Sequence, residues 1–280
     1  MLELKKYPTG ISRKRIGPLD WLQVGAFLLL AFGLVWVLIT GAENLGYDWH
    51  WTRIPRYLLY QGELGWQAGP LLQGLGLTVA ITVVSLLLTM VIGLTVALMR
   101  LSGSLMGWAL AKGYLELIRN TPLLIQIFII YFVFSPILGL DRFTSAVLAL
   151  SLFEGAYASE IIRAGILAIP AGQSEASASL GMTTYQNYRY IILPQALRQM
   201  MPPLTSQGIS LIKDSALVST IAIYDLTMQG QRIVAQTFLT FEVWFTVAAI
   251  YLVMTIGLSG VVKALESTLE TQDQEFLSVR

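Results

Sequence analysis

The chain has 280 residues, 55% of them hydrophobic and 12% charged, with a mean hydropathy of +0.65 and a net charge of +1. A soluble domain carries about a quarter charged residues, so the composition points to an integral membrane protein, and the near-neutral balance gives no reason to expect nucleic acid as a partner. The absence of cysteine excludes disulfides and thiolate metal sites, and the single His50 excludes His-pair zinc motifs.

Residues 1–18 form a basic N-terminus with Lys5, Lys6, Arg13, Lys14 and Arg15. The apolar run from Trp21 to Ile39 is nineteen residues long and has no A-x-A site after it. That exceeds the ~7–15 residues of a signal-peptide core, so an uncleaved membrane anchor is expected over residues 19–40. A helix needs about 20 mostly apolar residues to cross a hydrocarbon layer ~30 Å thick. Leu19–Thr40, Leu71–Met99, Tyr114–Phe134, Phe143–Ala168, Pro203–Tyr224 and Phe241–Leu265 qualify. The predicted fold class is therefore an all-α integral membrane protein with about six transmembrane helices. In the connecting segment 41–70, His50 lies between Trp49 and Trp51, and with Trp66 these read as interfacial residues. Pro55 and Gly69-Pro70 fit either a short interfacial helix or turn, or a plain connector. No inverted repeat relates the two halves, which counts against the commonest secondary-transporter architecture.

Lys and Arg set the orientation. With a cytoplasmic N-terminus, the inner segments hold the five basic residues above, then Arg100, Lys112, Arg119, Arg163, Arg189, Arg198, Lys263 and Arg280. The outer segments hold Arg53, Arg56, Arg142 and Arg232. Thirteen against four satisfies the positive-inside rule. Both termini, including a tail over residues 269–280, and the polar stretch "EASASLGMTTYQNYRYIILP" (Glu175–Pro194) are then cytoplasmic.

That stretch reads as a compact helix–turn–helix. Pro170 and Gly172 stop the fourth span. Ser174 is expected to cap a helix starting at Glu175, whose carboxylate suits the first turn. Ala176, Ser177, Ala178 and Ser179 keep that helix slim, which permits close backbone approach. Gly181 ends it, Thr183 or Thr184 caps a second piece bearing Tyr185, Tyr188 and Tyr190, and Pro194 marks a third helix start. A lipid-surface helix would be basic and amphipathic, so this element fits a groove on another protein better.

Charges at bilayer depth cost about 2.5–3.5 kcal/mol each on insertion scales and tend to face a cavity. Glu154, Tyr157 and Glu160 stand at i+3 steps on the fourth span, and Lys213-Asp214 falls near the middle of the fifth. Glu154 or Glu160 could take the α-ammonium, and Lys213 the carboxylate, of an amino acid; alternatively Glu154–Lys213 and Glu160–Arg163 are structural ion pairs. Arg119-Asn120-Thr121-Pro122 opens the third span, where Thr121 could cap a helix beginning at Pro122 and give a gating element. A helix start with a basic anchor is the alternative.

Glu175-Ala176-Ser177, Gly181 and Ile191-Ile192-Leu193-Pro194 resemble the EAA signature of the membrane subunits of bacterial ATP-binding-cassette importers, with Ser177 in place of the second Ala. "YLELIRNTPLLIQIF" (Tyr114–Phe128), "FEGAYASEIIRAGI" (Phe153–Ile166), "GQSEA" (Gly172–Ala176) and "LPQALRQMMPPLTSQGISLIKDSALVSTIAIYDL" (Leu193–Leu226) are similar to the polar amino-acid uptake permeases. The resemblance implies a five-span importer domain, placed here at residues 71–268 with its EAA loop at 170–194, plus one extra N-terminal helix. It also implies a bacterial inner-membrane location, a partner ATPase dimer that uses ATP and Mg and receives the EAA loop, a second copy or sister permease, and a periplasmic amino-acid-binding protein. Arg119, Asn120, Thr121 and Pro122 fall at the inner face of the family's core. Glutamate/aspartate or glutamine are the favoured substrates. The chain has no G-x-x-x-x-G-K-[ST] phosphate loop, so ATP hydrolysis is expected in another polypeptide, and this chain is expected to bind no cofactor. A secondary carrier or channel acting alone is the alternative, and it leaves the EAA element without a use.

Overall fold

The computed structural model describes residues 18–44, 46–63 and 65–278; the basic residues of the N-terminus and Arg280 lie outside them. The chain divides after Trp49 into two compact units. In the first, helix α1 (Pro18–Asn44) is apolar on every side, with Trp21, Phe27, Leu30, Phe32 and Trp36 all exposed. A helix without a polar face is built to be surrounded by lipid or protein.

The second unit opens with a single helical turn, α2 (Pro55–Leu58), and an antiparallel hairpin of β1 (Leu59–Gly62) and β2 (Gly65–Ala68), in register from Leu59 opposite Ala68 to Gly62 opposite Gly65. Gly65, at φ +98°, takes a backbone that side chains resist. This hairpin is the departure from an all-helical fold among the described residues. Gly69 returns the chain onto α2 so closely that a Cβ there would lie 2.4 Å from the Tyr57 carbonyl oxygen. Pro70 then starts α3 (Pro70–Leu101).

Along α3, Gly74, Thr78, Thr82, Ser85, Thr89 and Gly93 fall on one buried face. Beyond Gly74 and Thr78, which meet Asp225 and Leu226, that face packs on α7 (Arg142–Leu167), which presents Ser151, Gly155, Ala156, Ala158 and Ser159. A Cβ on Gly93 would come within 2.8 Å of the Ala158 Cβ, and one on Gly155 within 2.7 Å of the Ile92 side chain. Small residues let the two backbones approach where the surrounding lipid supplies no hydrophobic drive between helices. Several of the hydroxyls pair with backbone: Thr78 and Thr82 donate to carbonyls one turn back at 3.1 and 2.8 Å, and Ser151 donates to the Val147 and Ser85 carbonyls at 2.6 and 3.2 Å, whereas the Ser85 and Thr89 hydroxyls are buried without a partner.

The span expected over Tyr114–Phe134 is broken. Helix α4 (Leu105–Arg119) stops, α5 (Leu123–Phe128) restarts, and the chain continues through a wide π turn (Ile129–Phe134) into α6 (Ser135–Leu138). The two arms meet at 106°. The expected span Pro203–Tyr224 falls on α10 (Leu193–Asp214), which carries Pro202 and Pro203 internally, and on a 3₁₀ turn (Ser215–Ile221). Among the described residues four helices are long and apolar enough to cross a membrane, or five if the bent pair is one span. The polar residues of α10 keep it below that measure. After α11 (Leu226–Thr237), helix α12 (Thr240–Ser278) runs on through the region expected to be a tail.

Both helical prolines that follow π turns have the same cause. Pro136 and Pro194 lack an N–H and crowd the preceding carbonyls, and a wider turn just upstream relieves that crowding. Pro194 therefore lies within a continuous helical path from α9 (Thr184–Asn187) into α10, and does not begin a new helix.

Candidate functional site

The polar stretch forms α8 (Ala171–Ser179), a turn, and α9. Helix α8 begins four residues earlier than expected, with Pro170 as its N-cap, so Glu175 stands in mid-helix, exposed, and Ser174 is not a cap. Pro170 enters α8 instead of only ending the span before it, because a proline needs no helical N–H donor at this position. The turn follows the expected chemistry. Gly181 has φ +75°, and Thr183 forms a full capping box with Gln186.

Two features root this element. Ser177 is buried, and its Oγ donates to the Ser174 carbonyl at 2.9 Å, so the departure from alanine leaves no unpaired hydroxyl. Asn187 donates to the Ser174 Oγ at 3.1 Å, tying α9 to α8. Behind them Ile192, Ala196 and Met200 pack with Ile162, Ile166 and Ile169, and Ile191 flanks the cluster. Glu175, Ala176, Ala178, Leu180 and Tyr185 remain exposed, as do Leu193 and Pro194. The element has a fixed base and an open, small-residue face.

Glu154 is 1% exposed, inside the bundle. It accepts a hydrogen bond from the Gln207 side chain and lies against the Asp214 carboxyl group, while its Oε1 is buried without a hydrogen-bond partner. Gln207 was not foreseen, although it stands seven residues before Asp214 and hence on the same face of α10. The structure thus brings Glu154 and Asp214 together. Lys213 is exposed and forms no ion pair with Glu154 among the described residues.

Glu160 and Tyr157 belong elsewhere. Glu160 pairs with Arg100 and, at 2.9 Å, with Arg163, which matches the structural-pair alternative and adds an unforeseen third member. Glu160 and Arg100, together with Tyr157, line a cavity of about 450 Å³ walled also by Trp108, Lys112, Glu116, Arg119 and Asn120. The Arg119 guanidinium sits 5.7 Å from the Tyr157 ring centre.

The Arg119–Pro122 break is closed by side chains. Asn120 donates to the Glu116 carbonyl at 2.7 Å, Thr121 to Leu117 at 2.7 Å, and Gln126, from α5, to Ile118 at 2.8 Å. Carbonyls in the last turn of α4 gain side-chain donors in this way, and the Ile118 carbonyl also accepts from the Thr121 N–H at 3.4 Å. Thr121 therefore caps the helix before it, not the one after it, because the N-cap of α5 is Pro122.

At the start of α11, Asp225 accepts from the Met228 N–H at 2.8 Å, and Leu226 N–H donates to Thr78 on α3 at 3.1 Å. Burial pushes the Asp225 carboxyl up to about 6, against the pull of the Met228 and Thr227 N–H groups. Among the described residues no group of three or more acidic or histidine side chains could hold a metal ion.

Comparison with known proteins places residues 89–271 in the family described as binding-protein-dependent transport system inner membrane component. The glutamine transport system permease protein GlnP of Escherichia coli (strain K12) is 40% identical over 209 residues, covering 73% of this chain and 95% of its own. The L-cystine transport system permease protein TcyB of Bacillus subtilis (strain 168) is 42% identical over 200 residues, 70% of this chain and 85% of its own. A crystal structure of an amino acid ABC transporter with histidines superposes with a TM-score of 0.67 at 39% identity, over 71% of this chain and 94% of that one.

Proposed function

Because the chain belongs to the binding-protein-dependent inner membrane components and is an amino-acid ABC importer permease, we propose that it carries glutamine or an acidic amino acid, powered through α8 by a separate ATPase. The observation that carries the coupling role is the exposed, rooted face of α8. Glu175 stands at its centre, and Ala176, Ser177 and Gly181 keep it slim. Asn187 ties α8 to α9, and Ile191, Leu193 and Pro194 carry α9 without a break into α10, so a displacement of α8 is transmitted to the helix that holds Gln207 and Asp214. ATP and Mg act on the partner ATPase; this chain supplies the lever and the pathway.

The pathway site is Glu154 with Gln207 and Asp214. A buried carboxylate oxygen without a donor is costly unless a donor arrives, and the α-ammonium of an amino acid supplies one. Lys213, next to Asp214, is the candidate for the substrate carboxylate. Glu160 and Arg163, already paired, serve with Arg100 to fix α7 against α3. The break at Arg119–Pro122 gives α4 and α5 a hinge for alternating access. A second permease subunit, identical or sister, completes the pathway, and a periplasmic binding protein delivers the substrate and sets most of the selectivity. The relatives' names, glutamine and L-cystine, agree with a polar amino acid. The membrane is the bacterial inner membrane, with both termini cytoplasmic.

The test is ATP-driven uptake by the complex reconstituted with its ATPase and binding protein. Glu175→Lys is expected to leave insertion and assembly intact while ATP hydrolysis no longer drives uptake. Normal coupled uptake by that variant would remove α8 from the coupling role. Uptake by the wild-type chain with no ATPase present would favour a carrier acting alone.

A further inference from the structure

The cavity between the end of α3, α4 and the second half of α7 is not explained by coupling or by the Glu154 site. Its walls carry three cations, Arg100, Lys112 and Arg119, and two carboxylates, Glu116 and Glu160. Both carboxylates have partners, and with three cations against two carboxylates the walls keep an excess of positive charge. Glu160 is held by Arg100 and Arg163, and Glu116 accepts from Asn120 at 3.0 Å. The cations Lys112 and Arg119 are not neutralised: among the described residues neither has a carboxylate within ion-pair distance. Each rests on an aromatic ring instead, Lys112 at 4.9 Å from the centre of Trp108 and Arg119 at 5.7 Å from Tyr157. The Nε of Arg100 is buried without a hydrogen-bond partner.

The helix that supplies most of this wall is two-faced. Trp108, Lys112, Leu115 and Arg119 follow one another at helical spacing and line the cavity. Met106, Leu110 and Leu117 are exposed on the other side. A helix with a basic face and an apolar face, turned 106° from the arm that follows it, has the form of an element lying at the membrane surface. Arg100, in the last turn of α3, marks the end of the apolar span, at the end of the bundle from which α8 also projects. Basic pockets between membrane helices at this level suit lipid headgroups.

We propose that this cavity holds the phosphate of an anionic lipid headgroup, with Lys112 and Arg119 as its cationic ligands and Trp108 at the level of the glycerol. A headgroup here bridges α4 to the Arg100–Glu160–Arg163 cluster, so that lipid braces the arm leading into the Asn120–Pro122 break.

The experiment uses the full chain, released from mixed bilayers of phosphatidylglycerol and phosphatidylcholine, with bound lipid counted by native mass spectrometry. Wild type is expected to retain phosphatidylglycerol over phosphatidylcholine, and Lys112→Gln to reduce that preference about fivefold, the worth of one cation near an anionic surface. Lys112→Arg is expected to keep it, as is Arg232→Gln, which removes an exposed cation beside Tyr224, far from α4 in the chain. The proposal is overturned if wild type shows no preference, a result that depends on no variant folding. It is equally overturned if Lys112→Gln and Arg232→Gln lose it alike. Displacement of the lipid by millimolar inorganic phosphate would make the cavity a site for free anions, and displacement by glutamine would make it part of the transport pathway. Either result would also sink the proposal.

Discussion

Glu154 shows how much a single residue depends on its surroundings. In the sequence it is one charge within an apolar run; in the structure it is buried, takes one donor from Gln207, and keeps one oxygen unpaired. Its amide replacement keeps the shape and removes the charge. Glu154→Gln is therefore expected to leave the chain assembled but to weaken substrate binding about 10- to 100-fold, the worth of a hydrogen bond to a charged group at ~1.5–3 kcal/mol. Substrate titration of uptake by the reconstituted complex measures it. An unchanged half-saturation would assign Glu154 to the packing of α7 on α10. Glu154 was legible because a charge at bilayer depth is rare. Gln207 was not singled out, because an amide in a helix carries no such penalty signal. The Lys213 pairing could not be judged at all without knowing which way α10 is rotated.

At the scale of elements, the α3–α7 contact depends on missing side chains. Gly93→Val is expected to force α3 from α7, since a Cβ would lie 2.8 Å from the Ala158 Cβ and 3.2 Å from the Ser159 backbone nitrogen, and a backbone atom cannot rotate away. Overpacking of this kind costs about 1–3 kcal/mol, seen as a lower melting temperature of the purified chain. Gly172→Ala is the matched control. Nothing lies within 4 Å of a Cβ there, and alanine favours a helix over glycine by up to about 1 kcal/mol, so no loss is expected. The small-residue face of α8 was readable from Ala176 to Ser179, and so was the capping box at Thr183. The start of α8 was not, because Ser174 is by type a better cap than Pro170, which holds that position. The reversal of Thr121 has a similar origin: its hydroxyl serves either helix end, and the unpaired carbonyls of α4 lay closer.

Over the whole molecule, residues from His50 onward form a unit with its own buried clusters. The family match lies wholly inside that unit, and GlnP is covered almost end to end by the matched region. A chain lacking residues 1–49 is therefore expected to insert, assemble and support ATP-driven uptake in the reconstituted system, because a segment with its own core folds without its neighbour. Loss of uptake with assembly retained would give α1 a part in transport; loss of assembly would make it a structural member of the complex. The spans that are apolar all round, α1 and much of α3, were legible from hydropathy. The arms α4–α5 and α10 were harder, since each mixes a wet face with a lipid-facing one and averages to an intermediate composition.

The sequence by itself determined that the chain lives in a membrane, where its principal apolar helices run, and that a slim polar element interrupts them, because these follow from local composition and the fixed 3.6-residue period. Only the tertiary structure decided which distant polar groups meet: Glu154 with Gln207 and Asp214, Glu160 with Arg100, and two cations left facing a cavity. Those pairings depend on the rotation and bend of separate helices, and residues 50 to 60 positions apart leave no local trace of their meeting.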